Sequence, residues 1–335
     1  MAVFVESLKK SGHLDDIHMT LCHVGSRKLG TKDDLGTQGW DIFAPQLTIY
    51  GFDADADPCD EANADLEARQ VNWTEQHIAL ALGKSVGEST LYVTKHPMCS
   101  SLYPPNEPYL KRFGGMIPDL MNLDFTIEIE TTTLDEFFKE EGVDKIDFLQ
   151  TDVQGADLDV IEGGLGLLES SILAVKLEVL FERLYIGCPL FADVDQFMRS
   201  KGFTLFSLTT AYRPRSCSPI VSTQYSGQLL WGDAFYIRDV IQEDESVISS
   251  FKTPDTILKL ACIADIMDFP DYALEILEYL TLTYGNEPKY NCAKNIIDSL
   301  SQFPDLVKKG LGSLTVVQRI RDYLGDYNFD SLTSP

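Results

Sequence analysis

The sequence predicts an α/β fold: a mostly parallel sheet with helices on both faces, an antiparallel edge, and a small helical appendage at the C-terminal end. Three observations carry this. Apolar strand-like runs alternate with helical stretches from residue 17 to about residue 240, the pattern of a parallel sheet wrapped by crossover helices. The last two strand runs, "FTLFSLT" and "LLWGDAFYIRD", have no helix between them, which argues an antiparallel edge. Beyond Ile241 the apolar residues fall at helical spacing.

Taken in order, "IHMTLCHVG" (residues 17–25) reads as a strand ending in glycine and "PQLTIYGFD" (residues 45–53) as a second. From Pro58, "PCDEANADLEARQ" reads as a helix, with proline acceptable in its first turn and acids near its positive end. "HIALALG" and "STLYVTK" read as two more strands, and "KSVGE" between them as a hairpin turn. Residues 95–122 hold five prolines and two adjacent glycines, which predicts a long binding loop or lid. A strand over residues 125–130 leads to a helix capped at or near Thr133. Then come a strand over 146–153, one helix over about 157–168, a strand in "SILAVKLEVLFERLY", and an amphipathic helix "FADVDQFMRSKG" stopped by Gly202. The domain boundary is therefore expected at 240, with residues 241–335 forming four or five helices that cap the sheet or serve as an oligomerisation surface.

Composition removes several functions. A formal net charge of −25 over 335 residues repels phosphate backbones and argues against nucleic-acid partners. No run of eighteen apolar residues suggests a membrane span, and the N-terminus lacks the pattern of a secretory signal, so a cytoplasmic protein is expected. Seven cysteines are scattered singly, which reads as reduced thiols and gives no metal site.

In open α/β sheets, ligands bind beyond the carboxyl ends of the strands, so residues there are the candidates. Gly25 allows a tight turn and close backbone approach after the first strand, and the absence of GxGxxG disfavours a nicotinamide oxidoreductase. Five acids crowd residues 53–61, and Asp53 alone ends the strand itself, where a carboxylate accepts from ribose hydroxyls. Asp55 and Asp57 could reach the same ligand or start the helix. Asp152 ends another strand and either orients an acceptor or caps the next helix, while Gln154 can position but not abstract. Glu178 also ends a strand, where a structural ion pair with Arg183 or Arg213 is the plainer reading. His96 lies in the proline-rich loop as a base or as a merely exposed side chain. Tyr103, Tyr185 and Trp231 are walls of an acceptor pocket or packing residues.

"KIDFLQTDVQGADLDVIEGG" resembles the signature of the FkbM family of S-adenosylmethionine-dependent methyltransferases. The resemblance continues collinearly through "HVGSRKLGTKDDLGTQGWDIFAPQLTIYGFDAD", "MCSSLYPPN", "TTLDEFF", "KLEVLFERLYIGCPLFADVDQFMRSKGFTLFSL" and "QLLWGDAFYIRD", covering residues 15–240. It implies a class I, Rossmann-like, seven-stranded methyltransferase sheet with S-adenosylmethionine over the strand ends. Carried over by position, His23 and Gly25 face the cofactor, Asp53 with Ala54 holds the ribose, Ala81 and Leu82 lie near the adenine, and Asp152 sits by the transferring methyl. Asp152, Glu178 and His96 are then the candidates for activating the acceptor. The family usually has aspartate where this chain has His23, a residue that helps organise the methionine end of the cofactor, and Lys28 with the segment 31–39 crowds the same loop.

The function expected is O-methylation of a sugar or natural-product hydroxyl, with a small-molecule or glycan acceptor and no nucleic-acid or membrane partner. The alternatives are N-methylation of an amide or amine, and a catalytically silent binding scaffold, which the His23 departure favours. Homo-oligomerisation is left open, and no metal is expected.

Overall fold

The computed structural model describes residues 2–28, 34–241 and 251–325. Strands β1 (Met19–Val24), β2 (Leu47–Asp53) and β3 (Thr74–Ala79) pair in parallel, with helix α2 (Ala56–Arg69) crossing between the last two. After a short helix α1 (Val5–Lys10), these make the first half of the sheet. Strands β7 (Phe148–Thr151) and β8 (Ala174–Leu180) extend it on the other side of β1, again in parallel. Strand β11 (Gln228–Ile237) closes it antiparallel to β8. Outside β11 the edge position is shared by two short strands, β9 (Thr204–Leu208) and β10 (Ala211–Arg213). The order β3-β2-β1-β7-β8-β11 plus this divided edge gives seven positions filled by eight strands.

Helices α5 (Leu134–Glu140), α6 (Asp157–Gly163), α7 (Leu165–Ser170) and α8 (Phe191–Ser200) supply one covering layer. Thr133 caps α5 by accepting from Glu136 N, as the sequence implies. The single helix expected over 157–168 is two, interrupted at Gly164. The helix expected from Pro58 starts two residues earlier, because the Asp55 carboxylate accepts from Asp57 N and caps it there.

The hairpin turn expected at residues 84–88 does not form. Strand β4 (Ala81–Leu82) and β5 (Gly87–Thr94) each pair with β6 (Leu123–Thr132), which lies between them in a separate three-stranded sheet. The alternating pattern was real, but its partner lay forty residues on rather than next door. The long loop also holds short helices, α3 (Glu107–Leu110) and α4 (Ile117–Leu120).

The opposite sheet face is covered from both chain ends. Helices α9 (Pro254–Ile266), α10 (Pro270–Tyr284), α11 (Ala293–Leu300), α12 (Pro304–Lys309) and α13 (Thr315–Leu324) follow the sheet. Ile257, Leu260, Ile276 and Ile296 share one buried cluster with Met19, Leu21, Ile49 and Phe148 of the strands. Asp265 of α9, 1% exposed, accepts from the backbone N–H groups of Val3, Phe4 and Val5 at 2.7–2.9 Å, satisfying the otherwise unpaired donors that open α1. Lys259 of the same helix bonds both oxygens of Asp147 at 2.8 and 2.9 Å, just before β7. Among the described residues no helix is long and apolar enough to cross a membrane.

Candidate functional site

The parallel register sets the site. His77, Gly51, His23, Gln150 and Lys176 lie in one row across β3, β2, β1, β7 and β8. Side chains alternate faces along a strand, so this row shares its face with the apolar residues Leu21, Ile49 and Phe148 two positions earlier. Two positions later, at the carboxyl ends, come Asp53, Gly25, Asp152 and Glu178. The acids converge because each strand stops at the same height.

Gly25 has φ +80°, and a Cβ there would collide with the Asp152 carbonyl. Its glycine requirement comes from the close approach of the β1 and β7 loops, with the left-handed backbone as a second cause. The amides of Gly25 and Ser26 both donate to Phe52 O, at 2.9 and 2.8 Å, and Asp152 N donates to Val24 O at 2.9 Å. One turn thus ties three strand ends together.

On the β1–β3 side the described charges form a network of ion pairs. Glu75, whose side chain is 1% exposed, accepts from Lys28 Nζ at 2.9 Å, Trp73 Nε1 at 2.8 Å and His77 Nε2 at 3.1 Å. Burial pushes its pKa up, but these three donors outweigh it and hold it down at about 2. Because ionised Glu75 can only accept, His77 Nε2 carries a proton, and Nδ1 lies 3.0 Å from the Ser26 hydroxyl. Gly51 makes room: a Cβ there would lie 2.7 Å from Ser26 Oγ and closer still to His77. Lys28 and Arg69 also share Asp34. The segment 31–39 is expected to crowd this loop; residues 31–33 lie outside the described residues, and Lys28 itself is drawn aside to Asp34 and Glu75.

Asp53 is held by Arg27, whose Nη2 lies 3.4 Å from Oδ1 and whose Nε lies 3.5 Å from Oδ2. The same Nη2 bonds Asp55 Oδ2 at 2.6 Å, and Asp55 N donates to Asp53 Oδ1 at 2.9 Å. His23 is buried beside Gln150 Nε2 at 3.3 Å. Burial, with His77, Lys176 and Lys28 nearby, lowers its pKa to about 3, so it is a neutral imidazole where the family pattern has an anion.

The β7–β8 side is different in kind. A single neutral amide, Gln154 Nε2, donates to Asp152 Oδ1 at 2.7 Å and to Glu178 Oε2 at 3.1 Å. Gln154 takes φ +56° to do so, and the Tyr185 hydroxyl lies 2.9 Å from its Oε1 and 2.8 Å from Cys99 O. Burial, then Asp152, Asp157 and Asp233, raises Glu178 well above the carboxylate range. Asp157, 2% exposed, is raised to about 7 by burial and Asp152, although Val153 N and Gly155 N donate to it. The ion pair considered for Glu178 is not made: Arg213 instead stacks over the Trp231 ring at 4.4 Å.

His96 is not brought into this cluster by any hydrogen bond or ion pair among the described residues. Its Nδ1 is buried without a partner, three residues before the Cys99 carbonyl that Tyr185 meets. Ala81 is half-buried, the Leu82 side chain joins the apolar core, and Ala54 is exposed. Residue-by-residue reading of strand ends missed Arg27, Ser26, Glu75 and His77. The signal was available as "EQH" on β3, where residues two apart share a face with Gly51. Among the described residues no group of three or more His, Cys, Asp or Glu is arranged to hold a metal ion.

Comparison with known proteins agrees with this architecture. Residues 46–205 match the family model described as the methyltransferase FkbM domain. A curated relative, the 2-O-methyltransferase NoeI of Sinorhizobium fredii, is 38% identical over 76 residues, which cover 22% of this chain and 31% of that protein. The chain thus spans about a third of that relative's length. Solved structures with some likeness include magnesium protoporphyrin IX methyltransferase from Synechocystis PCC 6803 with bound SAM (13% identity, 70% of this chain and 76% of that one, TM-score 0.31). Another is a putative RNA methyltransferase from Pyrococcus horikoshii (9% identity, 70% and 82%, TM-score 0.30). A third is TrmK of M. capricolum with S-adenosylhomocysteine (10% identity, 96% and 96%, TM-score 0.30). At these scores the likenesses carry no argument, and the fold stands on strand order and register. The signature segment, on β7 and the following turn, lies inside the matched residues 46–205, so this part of the chain is similar to the methyltransferase FkbM domain.

Proposed function

We propose that the chain is an S-adenosylmethionine-dependent methyltransferase acting on an oxygen, a hydroxyl of a sugar or natural product. The observation that carries this is the gathering of carboxylates at the strand ends, Asp53 on β2 and Asp152, Asp157 and Glu178 over β7 and β8, around the Gly25 turn. When bound, S-adenosylmethionine supplies a methyl on a positively charged sulfur. Asp152 and Glu178 stand where that positive charge would lie, and a cation there would favour the ionised form of Glu178. Asp53 exchanges its long contacts to Arg27 for the two ribose hydroxyls, with Ala54 beside it. His23 and Gly25 line the methionine end, and Ala81 and Leu82 the adenine edge, where Leu82 acts through its backbone. The carboxyl groups joined by Gln154 would orient an acceptor hydroxyl and take its proton, while the bound cofactor would supply the methyl group. His96, with an unpartnered buried nitrogen, is the second candidate for that proton.

The printed name of the Sinorhizobium relative supports oxygen as the acceptor atom. The residues from 241 onward are proposed as a cover for the sheet rather than a substrate-binding unit, consistent with the core they share with β1, β2 and β7. A silent scaffold is the second reading, favoured by the neutral His23 and by the Arg27 contact on Asp53. Isothermal titration decides between them. Dissociation constants below about 100 μM, roughly −5.5 kcal/mol, are expected for S-adenosylmethionine or S-adenosylhomocysteine. Binding of neither would overturn the enzyme reading.

A further inference from the structure

Acids outnumber bases 52 to 27 in this chain, so carboxylate partners for a cation are plentiful. Arg27, Arg69, Arg199 and Arg319 each hold one. Arg112, Arg213 and Arg215 form no ion pair among the described residues and lie on aromatic rings instead. Their guanidinium carbons stand 5.3 Å from the Tyr109 ring centre, 4.4 Å from that of Trp231 and 4.5 Å from that of Phe113, respectively. A stacked guanidinium keeps its N–H edge available for a planar, two-oxygen acceptor.

Backbone pairing gathers the three at one edge. Ser216 N donates to Arg112 O at 3.0 Å and Gly114 N to Pro214 O at 2.9 Å, so residues 112–114 run beside 214–216. Gln228, which opens β11, pairs with Arg213, and its Oε1 accepts from Arg215 Nη2. Its Nε2 donates to Glu182 Oε1 at 2.7 Å and to the Tyr109 hydroxyl at 2.9 Å. Arg215 is thus bonded to a neutral amide, and the nearby Glu182 carboxylate to the same amide rather than to the cation. Arg215 Nη1 is buried with no partner, and a buried charged donor left unmatched is costly unless an oxygen is brought to it.

This edge adjoins the candidate reaction centre. Trp231 pairs with Leu180, and two residues further in Asp233 pairs with Glu178. Side chains two apart share a face, so the ring under Arg213 stands about 7 Å beyond Glu178 along the same face. We propose that Arg213 and Arg215, with the exposed Arg112 at the rim, bind an oxyanion carried by the methyl acceptor: a carboxylate, sulfate or phosphate ester set apart from the hydroxyl that takes the methyl. This rests on the methyltransferase reading above. The guanidinium forks match paired anionic oxygens. Elsewhere the chain's charge of −25 repels such a group, so these arginines both attract it and fix which end of the acceptor points toward Glu178.

The test follows the Trp231 indole N–H by NMR on the full chain, its signal assigned with Trp231→Phe. Inorganic phosphate, sulfate and acetate are titrated separately, against sodium chloride at equal ionic strength, with and without S-adenosylhomocysteine. At least one oxyanion is expected to give a saturable shift with a dissociation constant of about 10 mM or tighter that chloride does not reproduce. Saturation by acetate alone would identify a carboxylate, and by phosphate or sulfate a tetrahedral ester group. Arg213→Gln and Arg215→Gln should each weaken that binding about tenfold or more, and Arg215→Lys should restore only part of it, because an ammonium lacks the fork. Both glutamine variants should bind S-adenosylhomocysteine as the wild type does, which also reports that they fold. A shift that chloride reproduces, or affinity unchanged in both variants, would overturn the proposal. So would displacement of the oxyanion by S-adenosylhomocysteine, which would assign the arginines to the cofactor's own carboxylate. Saturable oxyanion binding in a wild type that does not bind S-adenosylhomocysteine would leave the site standing and sink the methyltransferase reading instead.

Discussion

The two halves of the sheet's carboxyl edge handle charge in opposite ways. Over β1–β3, Lys28, Arg69 and Arg27 meet Asp34, Glu75, Asp53 and Asp55, and burial is offset by hydrogen bonds until Glu75 sits near pKa 2. Over β7–β8, burial and like charge raise Asp157 to about 7 and Glu178 well above its usual range. The first half is a holder already at rest in its own ion pairs. In the second, burial and neighbouring acids hold Asp157 and Glu178 toward their protonated forms, which a cation nearby would reverse. The difference assigns roles to two sets of acids that look alike in the sequence.

Removing the holder's central acid should have the largest effect. Asp53→Ala is expected to weaken S-adenosylhomocysteine about 100-fold or more, since two hydrogen bonds to a charged group contribute about 1.5–3 kcal/mol each. Isothermal titration checks it, and unchanged affinity would remove the ribose assignment.

The opposed pKa shifts come next. His23 has a depressed folded pKa, so its contribution to stability is present above about pH 6.5 and is lost as pH falls toward 3. Asp157 has a raised folded pKa, so stability falls as pH rises from about 4 through 7. Between about pH 4 and 6.5 the His23 slope opposes that of Asp157, each being about 1.4 kcal/mol per pH unit, while Glu178, raised well above its usual range, adds to the Asp157 slope. His23→Gln should therefore steepen the decline of stability with rising pH in that window, and Asp157→Asn should flatten it. Chemical denaturation at pH 4.5, 5.5 and 6.5 measures this; parallel profiles in both variants would contradict it.

A smaller effect should separate the ends of the cofactor. Ser26→Ala and His77→Gln loosen the β1 loop from beneath, and the family pattern puts that loop at the methionine end. Each should weaken S-adenosylhomocysteine about tenfold, roughly the worth of one hydrogen bond, while barely changing 5′-methylthioadenosine, which lacks the amino-acid portion. Equal losses for both ligands would mean the network serves the fold alone.

Much of this architecture was legible because it depends on local pattern. The strand at 47–53, the Thr133 cap and the antiparallel close at "LLWGDAFYIRD" need only periodicity and capping chemistry. The hairpin expected at 84–88 is absent because two adjacent alternating runs satisfy the same rule whether or not a third strand inserts between them. At the site, acids at strand ends could be picked out one by one. Their partners could not, because Arg27 and Asp53 are 26 residues apart and Gln154 and Glu178 are 24 apart. Only register brings them together. The same holds for Gly25, whose neighbour is the Asp152 carbonyl rather than anything near it in sequence.

The contrast between the two halves is tested most directly by comparing S-adenosylmethionine with S-adenosylhomocysteine, which differ at sulfur by one positive charge and one methyl. Their dissociation constants should be measured in the wild type, Asp152→Asn, Glu178→Gln and Asp53→Ala. The account predicts that the two β7–β8 variants each lower the preference for the charged ligand about five- to tenfold, about 1 kcal/mol of screened Coulomb attraction. It also predicts that Asp53→Ala weakens both ligands alike. A charged-to-neutral ratio that stays constant in Asp152→Asn and Glu178→Gln would contradict it.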